Sequence, residues 1–234
     1  MITLHHGDCT KVLPKLGKFD MVFADPPDNI GLKYNGFEDT IDKYGRFLGD
    51  VLFAATEAAP IVWMSFNAKH YVDVAIAVDL LGLTSESRWF VQTFTFGNNQ
   101  RKDFTNGFRP ILRVMRDGTD TYPDSVYVPS WRQLNGDPRA SSKGKMPDDV
   151  WDFPRVTGNS KQRRSWSPTQ LHEGLYQRAI DFSTQPGARI VDMFGGSGTM
   201  ARVAGETHDV HIIELSEPTI KNIQKEHQCE LYSY

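Results

Sequence analysis

An open, largely parallel α/β sheet is the fold class predicted by this 234-residue chain. Three observations point to it. Short apolar runs rich in β-branched residues alternate with stretches of helical periodicity. Two of those runs end in loops built for ligand contact, and one long segment breaks the alternation. The strands are expected at Ile2 to His5, Phe19 to Ala24, Pro60 to Ser65, Trp89 to Phe96, Ile111 to Met115, Arg189 to Met193 and Val210 to Glu214. Each is four to eight residues of Val, Ile, Leu, Phe or Trp closed by Gly, Pro, Asp or Asn, the signature of a buried strand. Helical patterns fall between several of them, at Tyr44 to Ala59, Ala68 to Leu81, Gly174 to Ser183 and Thr199 to Glu206. Residues 97–155 are rich in Gly, Pro, Asp and Arg with little periodicity, and read as a loop-rich insert. No internal repeat is present.

Length and composition suit one domain with a sizeable core. No apolar run approaches the roughly 20 residues of a membrane span, and "MITLHHGDCT" has neither the basic nor the apolar region of a signal peptide. A cytoplasmic location is the expectation. The cysteines, Cys9 and Cys229, are too few for a disulfide framework and lack neighbours at ligand spacing, so no metal site is expected. The net charge of -3 hides an asymmetry. Residues 98–170 hold 13 Lys or Arg against 8 Asp or Glu, so that segment is +5 and the remainder -8. Its cations recur with Phe and Trp in "NNQRKDFTNGFRPILRVMR", "RASSKGK" and "SKQRRSW", the pattern of a nucleic-acid-facing surface or of a solvated basic face.

Two strand ends carry candidate chemistry. The first is "FDMVFADPPDNI", where a strand stops at Asp25-Pro26-Pro27-Asp28. A proline pair fixes φ twice and removes two donors, leaving a stiff loop, with Asp25 either a helix cap or a functional carboxylate. The second is "RIVDMFGGSGTMARVA", where a strand runs into Gly195, Gly196 and Gly198 and then a helix. Glycines there permit positive φ and close approach of a ligand, and the helix start offers unpaired N–H groups. The next strand ends in Glu214, placed for a ribose hydroxyl. The pattern also scans as G-x-G-x-x-A from Gly196 through Gly198 to Ala201, a weak dinucleotide fingerprint. S-adenosylmethionine, a nicotinamide dinucleotide and a tight turn needed only for packing all remain open on these residues alone.

Together the motifs resemble a family. "DPPD" behind an apolar strand resembles the D-P-P-Tyr motif of amino-directed DNA methyltransferases, and "DMFGGSGT" resembles their cofactor motif D-P-F-x-G-S-G-T. The order, with the catalytic motif first, a basic insert next and the glycine motif last, is similar to the beta group of bacterial and phage enzymes, which is circularly permuted. "ITLHHGDC", "DDVWDFPRV" with "SKQRRSW", and "WSPTQLHEGLYQRAIDFS" resemble further segments of that group in the same order. The resemblance implies a Rossmann-like S-adenosylmethionine-dependent methyltransferase sheet, permuted, with a catalytic and cofactor domain at 1–97 and 156–234 and a target-recognition insert at 98–155. It implies cofactor contacts by Asp8, Cys9, Asp25, Thr169, Gln170, Asp192, Phe194, Gly195, Gly196, Ser197, Gly198, Thr199 and Glu214, and DNA contacts by Arg101, Lys102, Arg163 and Arg164. Double-stranded DNA is the implied partner, in a restriction-modification setting; a homodimer is compatible with it, and neither membrane nor metal is expected.

The implied reaction transfers a methyl group to the exocyclic N6 of adenine, or N4 of cytosine, in a flipped-out base. That amine is a poor nucleophile because its lone pair is delocalised into the ring. Asp25 and the Pro26 carbonyl, held stiffly with Pro27, would accept its hydrogens and localise the pair. In the family the fourth motif residue is an aromatic that stacks on the base; here it is Asp28, which has no π-face. Three consequences are open: Tyr34 replaces the ring, with Trp63 and Phe66 next in line; the base is held chiefly by hydrogen bonds; or the chain is a weakly active or inactive DNA-binding homologue.

Overall fold

A computed structural model describes residues 1–34, 37–94, 102 and 104–234, with the backbone alone at 34, 37 and 38. A nine-stranded sheet forms the centre, in the order β11-β1-β10-β9-β2-β5-β7-β6-β8. These strands are β1 (Ile2–His6), β2 (Met21–Ala24), β5 (Ile61–Ser65), β6 (Ser87–Thr93), β7 (Phe108–Met115), β8 (Val150–Asp152), β9 (Arg189–Asp192), β10 (Asp209–Glu214) and β11 (Glu230–Ser233); β3 (Lys33–Tyr34) and β4 (Phe37–Glu38) pair separately as a small hairpin. From β11 to β5 all neighbours are parallel, whereas β7 runs antiparallel to both β5 and β6.

Period-two alternation sorts the strand side chains onto two cores. Val22 and Ala24 of β2 and Val62 and Met64 of β5 face one, with helix α2 (Tyr44–Ala58) and α3 (Tyr71–Leu80) over it. Met21, Phe23, Ile61 and Trp63 face the other, with α5 (Glu173–Ser183) and α6 (Thr199–Ala204). Burial on both faces is why these strands read as continuous apolar runs rather than alternating ones. Helix α2 presents Leu48, Val51, Leu52 and Ala55 inward at helical spacing. The remaining helices are short, α1 (Cys9–Val12), α4 (Trp131–Leu134) and α7 (Glu217–Glu226), the last begun by the Ser216 side chain at its N-cap and Pro218 in its first turn.

The seven expected strands are present. The expected run Trp89 to Phe96 is observed from Ser87, opposite Val114, to Thr93, opposite Phe108, and its last two residues, 95 and 96, lie outside the described residues. Strands β8 and β11, three and four residues long, lie at the two edges, where little apolar surface is buried to mark them in sequence. The expected juxtaposition of residues 210–214 with 2–5 is observed, Ile2 opposite Val210 through His6 opposite Glu214. The expected insert boundary does not coincide with a structural one. Within 98–155, β7 lies inside the sheet between β5 and β6, and β8 pairs with β6, so among the described residues the long stretch outside the sheet is the loop-rich one between these two strands.

Trp63 and Phe66, named as reserve stacking surfaces for a base, are 1% exposed and belong to the core. Trp63 packs against Phe90, Trp151 and Phe182 and donates from Nε1 to Ser183 Oγ at 2.8 Å. Trp63→Ala should therefore lower stability by about 3–5 kcal/mol in urea unfolding, a core cavity rather than a defect in ligand binding.

Candidate active site

The carboxyl ends of β1, β10, β9 and β2, four neighbours in the sheet, open onto one cleft of about 310 Å³. This is where ligands collect in open α/β sheets. Gly7, Asp8 and Cys9 follow β1; Glu214 ends β10; Phe194, Gly195, Gly196 and Ser197 follow β9; Asp25 to Asp28 follow β2. Thr169 and Gln170 form another wall, with Trp166 and Thr199. The two strand ends singled out in the sequence thus share one cavity. Gly198 and Asp192 lie behind its lining: Gly198 takes φ of +72° at the start of α6, and Asp192 is fully buried.

The proline loop is braced from below. Tyr44 donates its hydroxyl to the Pro27 carbonyl, and His70 Nε2 lies 3.2 Å from the Asp28 carbonyl oxygen. Among the described residues no backbone donor meets the Pro26 carbonyl. Asp25 is approached from the side by a residue the sequence did not single out. Arg109 donates from Nη2 to Asp25 Oδ1 at 2.7 Å, from Nη1 to Asp28 Oδ1 at 2.8 Å and from Nε to Ser65 Oγ at 2.7 Å. It reaches this rim because β7 is antiparallel: the start of β7 lies at the carboxyl end of β5, and Phe66 N bonds Pro110 O at 3.3 Å. Strand direction cannot be read from the run "FRPILRVM", so the sequence alone does not mark the residue. Asp28 is accordingly a buried counter-charge to Arg109, not a base platform.

Burial pushes the Asp25 carboxyl above its usual range, opposed by Arg109 and reinforced by the neighbouring Asp28 charge. Burial also opposes the charge of Arg109, but the two carboxylates more than offset it and hold the guanidinium firmly protonated. Asp8 caps α1, accepting from Thr10 N at 3.0 Å and Thr10 Oγ1 at 2.8 Å; burial works against its charge, yet these bonds and Lys11 hold its carboxyl below the usual range. Glu214 accepts Gly196 N at 2.8 Å and Ser216 N at 2.7 Å, so it braces the glycine turn. Cys9 is buried, its thiol pushed well up by burial. Gln170 folds back, accepting Arg164 N at 3.0 Å and donating to Gln162 O at 2.7 Å.

The expected DNA contacts differ in their surroundings. Lys102 is exposed and Arg163 half-buried. Arg164 Nε lies 2.6 Å from Glu226 Oε1, an ion pair tying this segment to α7 rather than a free cation. Arg101 and the side chain of Tyr34 lie outside the described residues.

A family model described as DNA methylase matches residues 19–225. The chain belongs to the N6/N4 DNA methylase family. Among relatives of this DNA methylase, the type II methyltransferase M.ScaI of Streptomyces caespitosus is 29% identical over 226 residues, 87% of this chain and 73% of that one. The DNA adenine methyltransferase YhdJ of Escherichia coli strain K12 is 30% identical over 220 residues, 86% of this chain and 74% of that one. Solved structures share the fold at low identity. The cytosine-N4-specific PvuII DNA methyltransferase gives a TM-score of 0.71 at 14% identity, covering 95% of this chain and 85% of that one. A DNA modification methylase from Thermus thermophilus, complexed with S-adenosyl-L-methionine and titled putative, gives 0.65 at 15%, covering 100% and 98%.

Behind the cleft of this methylase, Asp192 accepts Phe194 N at 3.0 Å and the Tyr176 hydroxyl at 3.2 Å, and burial pushes its carboxyl up to about 8. The native state then holds a proton that the unfolded chain has lost, from the ordinary carboxylate range up to about pH 8. Native stability should fall as pH rises through that window, by at most about 1.4 kcal/mol per pH unit, and level off above it. Asp192→Asn mimics the protonated acid, so the difference between its urea midpoint and that of the wild type should widen with pH.

Proposed function

We propose that the protein methylates N6 of adenine in double-stranded DNA, using S-adenosylmethionine. The observation that carries the reading is the loop at the end of β2: its Pro27 and Asp28 carbonyls are engaged, while the Asp25 carboxylate and the Pro26 carbonyl keep acceptor capacity toward the cleft that also holds the glycine turn. An amine placed there gives one hydrogen to each acceptor, which localises its lone pair.

The cleft fits the cofactor by charge. Asp8, Asp25, Asp28 and Glu214 line it, and Arg109, already bridging two of them, is the one Lys or Arg among the described lining residues. That lining suits a ligand bearing sulfonium and ammonium charges and repels a pyrophosphate, which disfavours the dinucleotide reading of Gly196, Gly198 and Ala201. When bound, S-adenosylmethionine supplies a methyl group activated by its sulfonium. The amine nitrogen forms the new N–C bond as the C–S bond breaks, the bonding pair staying on sulfur. The surplus proton of the methylated amine is then taken by Asp25, a carboxylate made more basic by burial. Positioning supplies much of the acceleration and no enzyme nucleophile is needed, in keeping with the inert, buried Cys9.

Adenine is favoured over cytosine by the Asp-Pro-Pro form and by the 30% identity to a DNA adenine methyltransferase. Incubation with labelled S-adenosylmethionine and duplex DNA, followed by nucleoside mass spectrometry, should give N6-methyladenine. N4-methylcytosine as the sole product would replace the base assignment and leave the mechanism standing. Asp25→Asn keeps the shape and loses the charge-assisted acceptor, so turnover should drop at least about a hundredfold with cofactor affinity nearly unchanged. Replacing Lys102 and Arg163 together by Ala should reduce the slope of log affinity against log salt by about two if both meet phosphates, and an unchanged slope would assign them to a solvated face.

A further inference from the structure

We propose that Arg109 reads the ring nitrogen next to the target amine, and that Asp28 is the counter-charge that lets a cation stand beside the catalytic carboxylate. The inference rests on the amine-methylation reading above. Its ground is the hydrogen-bond inventory of Arg109. A guanidinium carries five N–H groups; among the described residues three point at Ser65, Asp28 and Asp25, which leaves one on each terminal nitrogen. The remaining Nη2 hydrogen is next to the Asp25 carboxylate, and Arg109 lines the cleft. Asp25 and Arg109 thus present an acceptor and a donor side by side.

A flipped base is read along its Watson–Crick edge. Adenine presents there an amine donor beside the N1 acceptor, and cytosine an amine donor beside N3. The Asp25–Arg109 pair matches that edge, accepting from the amine and donating to the ring nitrogen. A base whose ring nitrogen carries hydrogen, or whose amine is replaced by a carbonyl, meets donor against donor or acceptor against acceptor.

A cation beside an amine that becomes positive as it is methylated would oppose the reaction unless compensated. Two carboxylates and one guanidinium, packed within 2.8 Å contacts, sum to one negative charge. Asp28 restores the charge that Arg109 would otherwise cancel at Asp25. It acts through Arg109 and is a positioning residue.

The test uses duplexes with adenine or 1-deazaadenine, which lacks N1, at the methylated position; if the product is N4-methylcytosine, 3-deazacytosine serves instead. The wild type should prefer the natural base by at least about tenfold in kcat/KM, the scale of one charged hydrogen bond. In Arg109→Gln, whose amide is too short to reach the ring nitrogen, the preference should fall close to unity while S-adenosylmethionine still binds in a titration; Arg109→Met, which has no N–H to donate, serves in the same way if the first variant fails to fold. Asp28→Asn should lower kcat more than it raises KM, and adding Arg109→Gln to it should recover part of that loss on the natural base. A discrimination that survives both Arg109 variants overturns the reading of the ring nitrogen and makes Arg109 a stacking surface or a structural clamp. Independent, multiplying effects of Asp28→Asn and Arg109→Gln overturn the charge pairing. Absence of methyl transfer by the wild type to any DNA amine overturns the underlying function together with this inference.

Discussion

A guanidinium between a half-buried and a buried carboxylate, Asp25 and Asp28, is the constraint around which the catalytic rim is built. Desolvating Asp25 and Asp28 without Arg109 would leave like charges facing each other in a cavity, and desolvating Arg109 without both would leave a buried cation. Removing one member of such a cluster costs far more than the pairs contribute, because the remainder stays buried and uncompensated. That dependence ties separate parts of the chain together. Asp25 and Asp28 come from the loop after β2, Ser65 from the end of β5 and Arg109 from the start of β7, so the rim exists only when those three strands are in register. The reversal of β7 is what makes it possible, since a parallel strand in the same place would deliver its first residues to the opposite edge.

The same logic of strand ends accounts for the order of motifs along the chain. With β1 seated between β10 and β11, the sheet places the segment after β1 and the segment after β10 on adjacent strands although about two hundred residues separate them. The backbone bonds from Val210 N to Met1 O at 2.8 Å and from Tyr234 N to His6 O at 3.1 Å close this part of the sheet. A connection between those neighbouring strands could be made or cut at the surface without moving a core residue, which is the physical content of circular permutation. The cleft needs β1, β10, β9 and β2 to end side by side; it does not need any particular one of them to come first.

The sheet was legible because strands buried on both faces are continuous apolar runs, and Met21 to Ala24 or Ile61 to Ser65 can hardly be anything else. The glycine turn after β9 is legible for a related reason: Gly196 and Gly198, with φ of +46° and +72°, occupy conformations that side-chain-bearing residues avoid, so composition there records geometry. Edge strands β8 and β11 bury too little to leave a pattern. Arg109 was hidden because a charged residue at the start of a strand looks the same whether it faces solvent or a buried acid; only the pairing direction decides. Asp28 stands out in the sequence as an acid in an aromatic's place, and the partner that accounts for it lies 81 residues away on β7. Arg164 shows the converse case, a cation in a basic run whose ion pair with Glu226 leaves no mark in the sequence.

Under the proposed function the distribution of charge sorts the three components of the reaction before any specific contact forms. The cleft is lined by acids and the 98–170 segment is basic. A polyanionic backbone is repelled from the first and held by the second, so the duplex remains on the basic side and only a neutral base can enter among the carboxylates. A cationic methyl donor is drawn to the same acids. The neutral base therefore arrives beside a positive methyl donor in a site whose residual charge is negative, and as the reaction moves positive charge from sulfur to nitrogen it moves it toward Asp25. In this arrangement Asp28 weakens one interaction, the stacking of the base, while supporting another, the edge contact through Arg109. Loss of an aromatic at that position is then a change in how the base is held, from face to edge, with the activating acceptors of Asp25 and Pro26 left in place.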